Sequence, residues 1–540
     1  MKTKINWLSA FIVSAIASLS LLSCSKYLDE KPDQKLAVPS TLKDFQAILD
    51  YYSRVNQFSP GAGEASADNY YLTTTDYNAM TTDLERRLYT WQNDFVLKTF
   101  PNDWAYSWDN VFRSNTVLDN INIVQRTPAN AGDWDNIKGQ ALVLRAECML
   151  QVAFVWCKAY DSTTAAADLG LPLRLSSDFN QVSVRASVED TYKSILTDLT
   201  QAVPLLPNTP LHVMRFAKPA AYALLARTCL SMRQYEKARR YADSCLQMYN
   251  TLIDYNTLSA SASFPFARFN SEVIWENFCF LHEQLYSSNA RIDSNLYNSY
   301  GLNDLRRTLF FKSNNNGSYA FKGSYEGGDN LFSGLATDEI YLIRAECKAR
   351  TGDKVAAMSD LNTLLAKRYK AGLFVPLTAV DAATALSIIL NERRKELFFR
   401  CLRWADIKRL NINQNEQVNI EEEHLDFEDP FGDEFEEEQL DEDDEQTFDE
   451  NDDEDDEEKA ETTNTRQQIA AKAEVADGSH APKQVWRPGI DQIAEGEALE
   501  YDPSAYVMYH SLQTEWPCLS FDIPRDNLGE SRQRVSCDCV

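Results

Sequence analysis

One five-residue pattern returns along this chain of 540 residues, and it limits the possible folds more than any other feature. Leu144-Arg145-Ala146-Glu147-Cys148 recurs as Ile343-Arg344-Ala345-Glu346-Cys347, and more loosely as Leu225-Ala226-Arg227-Thr228-Cys229. Ala226 is followed twelve residues later by Ala238, and Ala345 twelve later by Ala357. Small residues at that separation let the two helices of a hairpin pack closely, with Tyr235 and Gly352-Asp353 marking the turns. A repeated helix–turn–helix unit matches the tetratricopeptide pattern. One hairpin cannot bury its own apolar face, so several must stack. Four candidate hairpins fall near 104–158, 188–246, 336–367 and 382–410; unrelated amphipathic hairpins are the blander alternative. The expected fold class is mainly α.

The N-terminus reads as an export signal. Lys2 and Lys4 precede an apolar run from Trp7 to Leu22, shorter than the roughly 20 residues that span a bilayer. Leu21, Ser23 and Cys24 sit at −3, −1 and +1 of a bacterial lipoprotein cleavage site. Cys24 is then the lipidated N-terminus, and acyl chains hold the protein on a membrane. An ordinary signal peptide with an incidental cysteine is the alternative.

A helix is expected to start at Ser40 or Thr41, with Leu42, Phe45, Ile48 and Leu49 on one face. Residues 59–80 read as a loop, and Trp104 to Ile123 as a helix with Trp108, Val111, Phe112, Asn115, Leu118 and Ile121 at apolar spacing. Between 250 and 335 helical periodicity fades into a long loop-rich insertion holding Tyr286, Tyr297, Tyr300, Tyr319 and Tyr325. Cys148, Cys157, Cys229, Cys245 and Cys347 fall on apolar faces and read as small core residues. No cysteine pair has CxxC spacing, and no Ser/His/Asp, paired-carboxylate or phosphate-loop arrangement stands out. No enzymatic activity, cofactor or metal is expected.

Several ordered motifs resemble the SusD/RagB family of surface lipoproteins from Bacteroidetes. They are the lipoprotein signal with Lys26-Tyr27-Leu28-Asp29-Glu30-Lys31-Pro32-Asp33, then Leu42 to Asp50, then Asn391 to Leu397 leading into Leu402 to Leu410. The resemblance covers about residues 1–412. It implies a helical tetratricopeptide scaffold, capture of an oligosaccharide, and delivery to a SusC-like TonB-dependent transporter, with the protein lipid-anchored at the outer membrane. Flat aromatics beside hydrogen-bonding groups suit sugar rings. Asp68, Asn69, Tyr70 and Tyr71 offer that mixture, as do Tyr286, Tyr297 and Tyr300 with Asn295, Asn298 and Asn303. Trp91, Trp104 and Trp108 are alternatives, the last two fitting a core better. Each tyrosine also has a purely structural reading.

The end of the chain changes character. Residues 421–458 hold 25 Asp/Glu and no Lys or Arg, which account for all but three of the net 28 negative charges. Like charge at that density forbids a packed core, so this run is expected to be disordered, a solvated tail or a lure for basic proteins such as histones and ribosomal proteins. No clustered positive charge points to nucleic acid. Beyond it, Leu499 to His510 and Glu515 to Asp522, with Tyr506, Tyr509 and Trp516 as candidate partner-binding residues, resemble the N-terminal part of the eukaryotic glutamate-rich WD-repeat protein. That family is nuclear, acts in ribosome assembly and binds histones. The chain stops where propeller blades are expected, so the WD-repeat fragment is incomplete.

The expected organisation is therefore a signal at 1–23, a SusD-like domain at 24–412 truncated at its C-terminus, an acidic linker at 413–480, and a WD-repeat-type fragment at 481–540. A surface lipoprotein and a nucleolar protein share no compartment, so a chimera joined near 411–417 is the simplest reading. Loss of the scaffold's usual final segment is expected to expose apolar surface near Phe398, Phe399 and Trp404.

Overall fold

The computed structural model describes residues 39–92, 102–413 and 418. Cys24, the acidic run 421–458, and Tyr506, Tyr509 and Trp516 lie outside the described residues.

The scaffold is helical, and its local chemistry is legible. Helix α1 (Leu42–Leu49) opens on a capping box: Asp44 N donates to Thr41 Oγ1 and Thr41 N to Asp44 Oδ2. Phe45 and Leu49 are buried as the spacing requires. The short helices α2 (Ala62–Ala65) and α3 (Asp83–Tyr89) follow, then α4 (Asp103–Asn120) and α5 (Ala131–Trp156) pack antiparallel. In α4 Val111 and Asn115 face the core, whereas Phe112 is 49% exposed, so the expected face was one residue too wide. Next come α6 (Val188–Ala202), α7 (Lys218–Ser231) and α8 (Tyr235–Met248), so the hairpin expected over 188–246 is three helices. The array closes with α9 (Thr337–Arg350), α10 (Lys354–Leu365), α11 (Ala382–Glu396) and α12 (Arg403–Leu410).

The repeat logic holds where small residues meet. Ala226 and Ala238 are fully buried between α7 and α8, and Ala345 and Ala357 between α9 and α10. The turn before Tyr235 carries Arg233 at φ +59°, and the turn before α10 carries Gly352 at φ +92°, a conformation suited to glycine. Asp353 then caps α10 by accepting from Ala356 N at 3.0 Å. The five cysteines read as core residues are all buried.

The segment 250–335 is more ordered than a loop-rich insertion. It contributes to paired short strands: β1 (Gln57–Ser59) runs parallel to β6 (Phe278–Cys279), β2 (Tyr70–Tyr71) antiparallel to β7 (Arg291–Ile292), and β5 (Val273–Trp275) antiparallel to β10 (Leu335–Ala336). Hairpin β8 (Phe311–Ser313) with β9 (Tyr319–Phe321) turns through Asn315 and Gly317, both at positive φ, while β3 (Leu169–Pro172) and β4 (Arg185–Ser187) pair between α5 and α6. Strands other than β3 and β4 border an aromatic core distinct from the helical one, including Tyr255, Phe266, Tyr300, Phe310, Phe311, Phe398 and Phe399. Phe398 and Phe399 are each 1% exposed, which corrects the expectation of an exposed apolar patch there; both rings pack on Phe321.

Candidate functional site

The β2–β7 ladder brings two distant stretches of candidate residues onto one surface. Tyr70 pairs with Ile292 and Tyr71 with Arg291. Alternation along a strand sends successive side chains to opposite faces. Tyr70 and Ile292 therefore point into the aromatic core, and Tyr71 and Arg291 stay partly exposed.

This alternation sorts the candidates. Tyr70 is buried, its hydroxyl donating to Ala65 O at 2.6 Å and its ring lying 5.9 Å from Phe399. Tyr300 is fully buried and its hydroxyl donates to Lys395 O at 2.8 Å. Neither ring has a free face, so the expectation that they stack on a ligand is corrected: each supports the surface from below. Tyr297 is nearly as deep, with its ring stacked on Tyr319 at 3.6 Å between centroids and the Arg307 guanidinium 4.5 Å above it. Asn69 is buried; its Nδ2 donates to Glu64 Oε1 at 3.2 Å and its Oδ1 accepts from Arg394 at 3.3 Å. Asp68 is a brace between segments, accepting from Arg403 Nε and Nη2 at 2.6 Å each. Burial works against its charge, but Arg403 and Arg394 outweigh burial and hold the carboxyl below its usual range.

Several other side chains of these segments stay at least partly exposed. Tyr286 is 43% exposed, Tyr71, Tyr77 and Tyr319 are half-buried, and Asn295 and Asn298 are exposed on the helical turn after β7. Arg291 is steadied by Asp76 Oδ2 at 3.0 Å and donates to Ser288 O at 2.5 Å. Arg291, Asp76 and Tyr77 were not among the sequence candidates; the pairing of two residues of β2 with two of β7 has no local signal that would have found them. Trp91, also 43% exposed, is held at φ +54° by its indole N–H on Ser66 O at 3.1 Å. Trp104 and Trp108 are partly buried against the helical core, their rings 5.5 Å apart, which fits the core reading.

At the start of α2 lies a charge cluster with His282 and Asp103 buried. His282 sits between Glu85 and Asp103, with Nδ1 3.0 Å from Glu85 Oε2 and Nε2 3.1 Å from Asp103 Oδ2. Burial disfavours its charge, but Asp103 and Glu85 more than offset that and push its pKa up to about 10. Asp103 also accepts from Gly61 N and Ala62 N at 3.0 and 2.8 Å, fixing the start of α2. A Cβ on Gly61 would lie 1.9 Å from Phe280 O, so only glycine allows that approach.

The described region and its sequence have known relatives. Residues 26–230 match a SusD-like family model described as "Starch-binding associating with outer membrane", and residues 336–489 match the SusD family model. The second match runs past residue 412. A SusD-like carbohydrate binding protein of Bacteroides vulgatus superimposes with a TM-score of 0.54 at 21% identity, covering 70% of this chain and 84% of that one. A SusD superfamily protein of Bacteroides thetaiotaomicron gives 0.57 at 21% identity, covering 71% and 93%. Residues 496–537 match a different family, that of the histone-binding protein RBBP4 and the corresponding component of the CAF1 complex. Glutamate-rich WD repeat-containing protein 1 of Dictyostelium discoideum is 53% identical over 53 residues, 10% of this chain and 11% of its own length. Protein HEAT STRESS TOLERANT DWD 1 of Arabidopsis thaliana is 43% identical over 74 residues, 14% of this chain and 15% of its own length. This chain thus spans only a small part of those curated relatives. The residues matched by the SusD-type models, 26–230 and 336–489, lie in a helical array with the fold of SusD-superfamily proteins, and a separate segment at 496–537 is similar to a different, histone-binding family.

Proposed function

We propose that the SusD-like part is a nutrient-binding lipoprotein of the cell surface that captures an oligosaccharide on the β2–β7 surface. The carrying observation is the register that sets Tyr71 beside Arg291. That register supports a surface on which Tyr71 and Arg291 face outward above the buried Tyr70 and Ile292, with exposed Tyr286, Asn295 and Asn298 on the neighbouring segments. Sugar C–H faces suit the rings, and the polar groups orient the hydroxyls. Acyl chains on Cys24 anchor the protein, and the captured glycan passes to a SusC-like TonB-dependent transporter. Among the described residues no helix is long and apolar enough to cross a membrane, which is compatible with a lipid anchor.

Affinity electrophoresis through gels containing starch, a β-glucan, a xylan or a mannan tests the binding. Retardation by one polysaccharide is the expected result; equal mobility in every gel contradicts it. Palmitate labelling, abolished in Cys24→Ser, tests the anchor separately.

A second reading attaches to residues 413–540: the acidic run and the segment at 496–537 bind basic proteins such as histones. The match over 496–537 favours it. Retention of the full chain on immobilised core histones at physiological salt supports it, and passage without delay contradicts it.

A further inference from the structure

Arg306 and Arg307 are neighbours on the short helix Arg306–Leu309, and their charges meet opposite surroundings. Arg306 is fully buried and paired three times: its Nη2 lies 2.7 Å from Asp304 Oδ2 and 2.6 Å from Glu392 Oε2, and its Nη1 2.9 Å from Glu396 Oε2. Arg307 is half-buried and held by neutral groups, its Nε donating to the Tyr297 hydroxyl at 3.3 Å and its Nη1 to Tyr300 O at 2.8 Å. Among the described residues no carboxylate pairs with it. Asp304, three positions before it, has both oxygens on Arg306, at 2.9 and 2.7 Å.

The Arg307 head group is also fixed by stacking. Its guanidinium carbon lies 4.5 Å from the centre of the Tyr297 ring, and the ring of Tyr319 stacks on Tyr297 at 3.6 Å with 17° between the planes. An arginine carries five N–H donors in a planar fork. The bonds to Tyr297 and Tyr300 use one on Nε and one on Nη1, which leaves the second on Nη1 and the pair on Nη2. This arginine adjoins the candidate site. Tyr297 lies on Ser294–Ser299, the segment after β7 on which Asn295 and Asn298 are exposed, and Tyr319 lies on β9, which packs beside β7. Arg291 of β7 differs from it, because Asp76 Oδ2 at 3.0 Å meets its charge.

We propose that Arg307 is a subsite for an acidic sugar unit, a uronate carboxylate or a sulfate ester, within the captured oligosaccharide. The inference rests on the capture reading and names the class of glycan. A planar guanidinium presents two parallel N–H groups that match two oxygens of a carboxylate or sulfate, which an ammonium does not. Stacking and two hydrogen bonds hold the fork before a ligand arrives, so little side-chain freedom is lost on binding. An unpaired positive charge favours an acidic glycan over a neutral one of the same shape. The neutral sugars of the chain keep their contacts with the outward rings, so removing the acid weakens binding without abolishing it.

The test is isothermal titration of the purified full chain with paired oligosaccharides. Glucuronoxylan and galacturonate oligomers, each beside its carboxyl-reduced form, report on carboxylate; carrageenan oligomers beside their desulfated form report on sulfate. One acidic oligosaccharide is expected to bind about ten-fold or more tightly than its neutralised partner, the scale of a hydrogen bond to a charged group. Arg307→Gln should bind both forms alike, and Arg307→Lys should keep only part of the preference. Melting followed by circular dichroism shows whether each variant is folded. Equal affinity of the wild type for acidic and neutralised forms overturns the proposal and leaves glycan capture standing. A preference that survives undiminished in folded Arg307→Gln also overturns it; where glutamine lowers the melting temperature, an undiminished preference in Arg307→Lys does so. No binding of any oligosaccharide, acidic or neutral, overturns the capture reading and the subsite together.

Discussion

Glu147 and Glu346 hold the same place in two copies of one motif, yet only Glu346 is neutralised. Both Glu346 oxygens accept from Arg409, at 2.6 and 2.9 Å, and Arg350 adds a bond at 2.8 Å. Glu147 Oε1 is buried without a hydrogen-bond partner. Burial raises both carboxyls. For Glu346 the charges of Arg409 and Arg350 outweigh it and the pKa ends below its usual value, whereas Glu147 is pushed from 4.5 to about 7. The preceding arginines behave alike: Arg145 takes Asp198 of α6 in a two-pronged pair at 2.8 Å, and Arg344 takes Asp360 of α10 at 2.9 and 2.7 Å.

Glu147→Gln is expected to be stabilising in a pH-dependent way. The folded pKa is raised, so the favourable contribution of the neutral form is present below pH 4.5 and lost as pH rises through about 7. Glutamine keeps the neutral shape at every pH. Calorimetry should show a gain of roughly 1–3 kcal/mol at pH 8 and almost none at pH 4. An equal effect at both pH values contradicts the assignment.

Asp406 gives the opposite sign. It accepts from Arg393 Nε and Arg409 Nε, each at 2.8 Å. Burial opposes its charge, but Arg393 and Arg409 prevail and lower its pKa from 3.8 to about 2. Its contribution is therefore full above pH 4 and lost as pH falls through about 2, a loss of about 2 kcal/mol. In acid titrations followed by circular dichroism, Asp406→Asn should start less stable at pH 7 and lose less on acidification between pH 4 and 2.

His282→Gln should destabilise the chain by about 3–5 kcal/mol at pH 7, the usual cost of stripping one partner from a buried ion pair. The folded pKa is raised to about 10, so this histidine's contribution is present below about 6.5 and fades as pH rises through 10. Urea denaturation at pH 7 and pH 10.5 measures it: the wild-type advantage over His282→Gln should shrink at the higher pH.

The helical half of the molecule was largely legible because its signals are local. The LRAEC-type motif, the alanine pairs twelve apart and the Thr41 cap each depend on residues within a turn or a hairpin. The ionic partners of the motif were not read, although Asp198-Leu199 and Asp360-Leu361 repeat behind Arg145 and Arg344. In the candidate stretches, composition does not tell which tyrosines face solvent, because Tyr70 and Tyr71 differ only in the face their strand assigns them. That assignment depends on pairing with Arg291 and Ile292, more than two hundred residues away, which leaves no periodic trace in so short a strand. Tyr300 was misplaced for the same kind of reason: its burial is set by Phe311 and Lys395, which lie on other segments.

The most direct measurement is polysaccharide affinity electrophoresis of the double variant Tyr71→Ala/Tyr286→Ala beside the wild type and Tyr70→Ala. Melting is followed in parallel by circular dichroism. The double variant should melt like the wild type and bind its retarding polysaccharide at least about ten-fold more weakly, roughly 1.4 kcal/mol. Tyr70→Ala should instead melt lower, because it removes a buried ring and the bond to Ala65 O. Undiminished retardation of a fully folded double variant would contradict capture on the β2–β7 surface.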